Sequence, residues 1–183
     1  MNERDKMLCG RLYDPSDPAL VSARAEARRL TRRLGELDPA DVDSQRRLLR
    51  DVFAAIGVDS TVVPPLHCDY GTQISLGSRV FVNAGCTFLD AASITLADDV
   101  QLGPCVQLLT SDHPRDALER ARGLETAAPI VIGARAWLGG GVIVLPGVEI
   151  GPDVIVGAGS VVTGPLESGV VAAGNPCRVI SGR

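Results

Sequence analysis

The sequence predicts a mainly β protein: a parallel β-solenoid preceded by a short helical segment and interrupted by one protruding loop. Three observations carry that expectation. Between positions 132 and 167, Ile132, Leu138, Val144, Ile150, Val156 and Val162 recur at every sixth position. Gly133, Gly139, Gly151 and Gly157 directly follow four of them. A second apolar column, Ala136, Val142, Val148, Val154 and Leu166, stands four residues after the first, with Ser160 its one polar member. A helix repeats its inward face at about 3.6 residues and a strand at 2, so a strict six fits neither alone. It fits a coil whose six-residue unit is one short strand and one corner, each aliphatic residue stacking on the turns above and below. A β-sandwich of Val- and Gly-rich strands would alternate at two and has no reason to keep six.

Composition agrees. Aromatic residues are 3% of 183 while Gly numbers 20, so the core has to come from Val, Ile, Leu and Ala, the side chains that suit short stacked strands. A formal charge of −4 gives no reason to expect nucleic acid or an anionic membrane as partner. Five cysteines, at 9, 68, 86, 105 and 177, include no CxxC pair and cannot all be paired, so they read as reduced, mostly small apolar fillers. The opening MNERDKMLCG is charged and lacks an apolar run, and no stretch has the length and apolarity of a membrane span; a cytoplasmic protein is expected.

Residues 1–58 lack the six-residue period and hold eleven of the eighteen Lys and Arg, with nearly as many acids. Asp17 can cap a helix that begins at Pro18 and runs over 19–34 with an Ala, Leu and Arg alternation, ending at Gly35. Asp43 or Ser44 can start a second, with Leu48, Leu49, Val52 and Phe53 on one face and Gly57 as its end. The Arg-rich faces read as solvated surface.

Residues 59–183 form the solenoid. Val62-Val63-Pro64-Pro65-Leu66 enters it, and PPLHCDYG makes a first irregular coil. Leu76, Val82, Phe88 and Ile94 keep the period, which resets to Leu96, Leu102 and Leu108; an insertion at 91–93 should bulge outward at a corner. Over 110–129, SDHPRDALERARGLETAAP breaks the pattern, and a long loop on a rigid scaffold is a place to look for function.

These residues also carry a resemblance. The units IGARAW, LGGGVI, IGPDVI and VGAGSV, the opening MLCGRLYDPSDPAL and the closing AAGNPCRVI are together similar to the maltose and galactoside O-acetyltransferases, within the hexapeptide-repeat acyltransferases. The resemblance implies a left-handed parallel β-helix, acetyl-CoA as co-substrate, no metal, and a homotrimer with sites between subunits. It implies transfer of acetyl to a sugar hydroxyl, with a nodulation oligosaccharide or an antibiotic as other acceptors. A γ-class carbonic anhydrase would need three zinc histidines, and only His67 and His113 exist. A non-catalytic solenoid gives no reason for these motifs to coexist.

Acetyl transfer needs a base, donors for the oxyanion and a groove for the acyl carrier. By family position the base is His113, since an imidazole titrates near neutrality. Its orienting partner is Glu125, with Asp112 as local competitor. His67 is expected to line the acceptor pocket at most. Acceptor contacts fall to Asp69, Asn83 and Asp90, and to Asp14 or Asp17 beside Tyr13; as plain structure, Asn83 could join a corner ladder and Asp90 could cap a turn. For the coenzyme, the resemblance points to Trp137, to Gly140 as oxyanion-side N–H within Gly139–Gly141, and to Ala158, Thr163 and Arg178. Gly164 and Ala128 stand where many relatives have Lys.

Overall fold

The computed structural model describes residues 1–182 and has the expected architecture, a left-handed parallel β-helix behind a helical N-terminus. Three parallel sheets form its faces. The first stacks Ala55–Ile56, Ile74–Leu76, Ile94–Leu96, Ile130–Ile132 and Glu149–Ile150. The second stacks Thr61–Val62, Phe81–Val82, Gln101–Leu102, Trp137–Leu138 and Ile155–Val156, continued by the hairpin of Val170–Ala173 and Arg178–Gly182. The third stacks His67–Cys68, Thr87–Leu89, Gln107–Leu109, Ile143–Val144 and Val161–Val162. Both predicted columns point inward: Ile132, Leu138, Val144, Ala136, Val142 and Val154 have no exposed surface. Ser160, the polar member, is also fully buried. Its hydroxyl donates to the Gly157 carbonyl and accepts from the Gly174 N–H, tying the closing turn to the last coil.

The corners explain the glycines. A Cβ on Gly103 would lie 2.5 Å from the Gly140 nitrogen, and one on Gly133 2.4 Å from the Pro152 nitrogen, so adjacent rungs approach too closely for any side chain there. At the corner joining the first sheet to the second, the left-handed position is instead taken by Asp59, Arg79, Asp99, Arg135 and Asp153, with φ between 58° and 62°. Their charges alternate. Arg79 makes two hydrogen bonds to Asp99 (2.6 and 2.7 Å), Arg135 two to Asp153 (2.8 Å each), and Arg46 reaches Asp59 at 3.1 Å.

Three helices precede the coils, the first beside the loop 110–129 and the other two packing on the first turn. α1 (Glu3–Leu8) is capped by Asn2 in a capping box with Asp5, an element the charged opening sequence does not announce. α2 (Pro18–Glu36) starts as predicted, the Asp17 carboxylate accepting from the Ala19 and Leu20 N–H groups. It does not stop at Gly35. A glycine in the last turn costs only about 1 kcal/mol of propensity, and Leu34 and Leu37, both packed on the core, hold that turn. α3 (Val42–Val52) is capped by Asp41, ahead of either predicted start, and ends at Phe53 rather than Gly57. The chain has already entered the solenoid there, because Ala55–Ile56 pairs with Ser75–Leu76, and Gly57 is a corner glycine against Gly77.

The expected single insertion at 91–93 is one of a series. Register partners Ile56, Leu76 and Leu96 are spaced by twenty residues, whereas Leu138 and Val156 are spaced by eighteen. The extra residues always enter at the corner between the third sheet and the first: Asp69–Gln73 in one turn, Asp90–Ser93 in the next, and the loop 110–129 in the third. Nor does the insertion bulge into solvent. Ala91 and Ala92 are 1% and 7% exposed, packed in one apolar cluster with Met7, Tyr13, Leu20, Tyr70 and Ala127, so the helical segment covers the widened corner.

Candidate active site

The widened corner holds most of the acidic residues singled out above. Asp90 has no exposed surface, and its carboxylate accepts from the N–H groups of Asp69 (2.9 Å), Tyr70 (2.8 Å) and Gln73 (3.3 Å) in the turn below. It thus takes the turn-capping alternative and holds up the shelf that carries Asp69. Burial pushes Asp90 up to about 7, against the pull of those donors. One turn above, buried Thr110 donates to the Leu89 carbonyl and accepts from the Ala92 N–H, continuing the ladder towards the loop. Asp69 itself is half-buried at the surface of the shelf; burial raises its pKa, opposed by the charges of Arg24 and Arg28.

The loop leaves as a two-stranded antiparallel hairpin, Ser111–Asp112 against Thr126–Ala127, with α4 (Ala117–Ala121) at its tip. Asp112 pairs with Thr126, so His113 and Glu125 follow directly on the loop side of the hairpin. His113 is exposed. Glu125 is fixed by Tyr13: their backbones exchange N–H···O bonds of 2.9 and 3.0 Å, and the buried Tyr13 hydroxyl donates to Glu125 Oε2 at 2.6 Å. Burial, and then the Glu125 carboxylate, raise the Tyr13 pKa, so its proton stays on that bond. Asp112 accepts from the His113 N–H and from Arg115 Nη2. Asp14 accepts from Ser16, and Asp17 is engaged with the start of α2. Arg24, which the sequence reading passed over, lies on the inner side of α2; its guanidinium donates to the Tyr70 hydroxyl at 2.7 Å and to the Pro15 carbonyl at 2.6 Å.

The other predicted residues stand elsewhere on the prism. Asn83 is at the corner between the second and third sheets, its side-chain oxygen accepting from the Ala84 N–H. Gly140 and Ala158 occupy that same corner higher up, one rung apart, linked by the bond from the Gly159 N–H to the Gly140 carbonyl. Among the described residues the N–H groups of Gly140 and Ala158 have no hydrogen-bond partner, whereas the flanking Gly139, Gly141 and Gly159 all donate along the corner. Trp137, 51% exposed, stands on the second face just before this corner. Thr163 is exposed just past the last strand of the third sheet, above the widened corner, and Arg178 is exposed on the terminal hairpin. Within one chain, therefore, the His113, Glu125 and Asp69 group and the Asn83, Gly140 and Ala158 group lie on two different edges.

Known proteins give this arrangement a family. Residues 6–57 match the family model of the maltose acetyltransferase hexapeptide capping motif, and residues 129–164 the bacterial transferase hexapeptide (six repeats). The crystal structure of a maltose O-acetyltransferase from Clostridium difficile 630 is 42% identical, superposes with a TM-score of 0.97, and covers 100% of this chain and 97% of its own. A galactoside acetyltransferase in complex with coenzyme A is 33% identical with a TM-score of 0.95, covering 100% of this chain and 91% of its own. Nodulation protein L of Rhizobium leguminosarum bv. viciae is 39% identical over 181 residues, 99% of this chain and 95% of that protein. Fold, capping segment and repeats thus agree over the whole length, and the chain belongs to the maltose/galactoside O-acetyltransferase family of hexapeptide-repeat acetyltransferases.

Proposed function

We propose that the protein transfers the acetyl group of acetyl-CoA to a hydroxyl of a sugar or related polyol. The carrying observation is the pair of N–H groups at Gly140 and Ala158, without partners among the described residues and stacked one rung apart between glycines whose own N–H groups are committed. Outward donors at fixed spacing suit the pantetheine arm of a coenzyme and the oxyanion of a thioester under attack. His113 takes the proton of the acceptor hydroxyl as its oxygen bonds to the thioester carbon. The Gly140 N–H meets the oxyanion; collapse breaks the C–S bond, and the imidazolium returns the proton to the coenzyme thiolate. No acyl-enzyme is required. Glu125, held by Tyr13, orients the imidazole, and Asp69 and Asp17, with Asp90 supporting the shelf, bind the acceptor. Trp137, Thr163 and Arg178 line the coenzyme. Because the two groups of residues sit on different edges, a neighbouring chain would supply Asn83 and the coenzyme edge, as a homotrimer of parallel prisms does.

The test is release of free coenzyme A from acetyl-CoA with glucose, maltose, galactosides, amino sugars, serine and chloramphenicol as acceptors, beside His113→Ala. Sugar-dependent release falling about 10²- to 10⁴-fold in the variant is expected. Release indifferent to His113 would refute the assigned base, and release with no sugar would refute the acceptor class.

A further inference from the structure

Beside Asp69 the surface stays open. A groove runs between α2 and the His67–Cys68 strand. Its inner part, about 220 Å³, is lined by Arg28, Thr31, His67, Cys68, Asp69 and Leu89. Arg28, Thr31 and His67 also line its outer continuation, about 610 Å³, which reaches Arg32, Glu36 and Pro65. The outer part alone falls within the range of about 300 to 1,000 Å³ typical of small-molecule sites.

The polar groups facing this groove are largely uncommitted. Among the described residues the Arg28 guanidinium has no hydrogen bond or ion pair, and Arg32 has only Glu36, 3.8 Å away with both side chains well exposed. Asp69 stands at the inner end and Glu36 at the outer, so an anionic ligand would meet a carboxylate at each end. An apolar ligand would strip water from two arginines and return nothing. A neutral chain of hydroxyls can accept from Arg28 and Arg32 and donate to Asp69 and Glu36, while the exposed Pro65 offers apolar surface to the C–H face of a ring.

We infer that this groove is a second saccharide subsite. The acceptor is then a neutral oligosaccharide, with the acetylated ring at Asp69 and the following rings laid along α2. This rests on the sugar acetyltransferase reading above and narrows it.

The experiment compares kcat/KM for mono-, di- and trisaccharides in the maltose, cellobiose and chitin series, in the wild-type protein and in Arg28→Ala and Arg32→Ala. Both arginines are exposed, so the fold does not depend on them. In at least one series the trisaccharide should exceed the monosaccharide by about fivefold or more, the worth of one or two net hydrogen bonds. That ratio should fall towards one in both variants. A wild-type ratio near one in every series, or a ratio that survives both substitutions, overturns the subsite while leaving the acetyltransferase reading intact. Absence of transfer to any sugar of any length overturns both.

Discussion

Replacing Asp90 by Asn keeps the size of the side chain and removes its charge, which sets two large effects against each other. Burial favours the neutral acid and raises its pKa to about 7; three backbone N–H groups favour the anion. If burial wins, the folded protein holds a proton that the unfolded chain, with a pKa near 3.9, has lost. A raised folded pKa gives stability that is complete below the unfolded value and lost as the pH rises through the folded one. A proton held by the folded state alone is worth about 1.4 kcal/mol per pH unit, so the window from about pH 4 to about pH 7 allows about 4 kcal/mol. Asn cannot titrate. The stability of wild type minus that of Asp90→Asn should therefore shrink from pH 4.5 to 7 and stay level above. A constant offset of about 1 kcal/mol is also expected, because Asn accepts on one oxygen only and the 3.3 Å Gln73 contact is lost. Urea unfolding of both proteins at matched pH measures the difference, and groups common to both cancel. A difference that grows with pH would refute the reasoning: the N–H donors would then outweigh burial, and Asp90 would be an anion throughout.

The remaining expectations are simpler. Gly103→Ala should cost at least about 2 kcal/mol in thermal or urea unfolding, because its Cβ would meet backbone at 2.5 Å; in Gly140→Ala the nearest atom is at 3.3 Å, so that variant should fold and instead raise the KM for acetyl-CoA. Tyr13→Phe removes the donor that fixes Glu125 and should lower stability by about 1 to 2 kcal/mol and kcat more than the KM for acetyl-CoA, both read from one preparation. Arg79→Ala breaks an exposed pair with Asp99 and should leave the urea unfolding midpoint almost unchanged, with any difference shrinking further at high salt.

The solenoid was legible because its core is a one-dimensional pattern: residues six apart face inward whatever the coil length. The helix ends were less so. Gly35 and Gly57 look alike as stops, yet one sits inside the last turn of α2 and the other on a corner, and only packing against Leu34 or Gly77 separates them. Motifs could nominate candidate site residues one by one, but nothing in them told how those residues assemble. Tyr13 and Glu125 are 112 positions apart, and nothing local marks the hydroxyl as the carboxylate's partner. Asp90 falls to the acceptor by its family position, with turn capping as the alternative; its three N–H donors belong to a turn about twenty residues earlier, out of sight until the rung spacing is known. Arg24 and Arg28 gave no signal, since an arginine facing a pocket and one facing water fit the same helical pattern.

The alternating charges at the left-handed corner have a consequence for how such a chain counts its own turns. Successive coils are nearly interchangeable in shape and apolarity, so a rung that skipped its neighbour and docked on the next would still find a fitting core. Along Asp59, Arg79, Asp99, Arg135 and Asp153 such a skip would bring Asp to Asp or Arg to Arg. The column therefore acts as a parity check: weak at each pair, silent when the order is right, and repulsive at the moment a turn is missed.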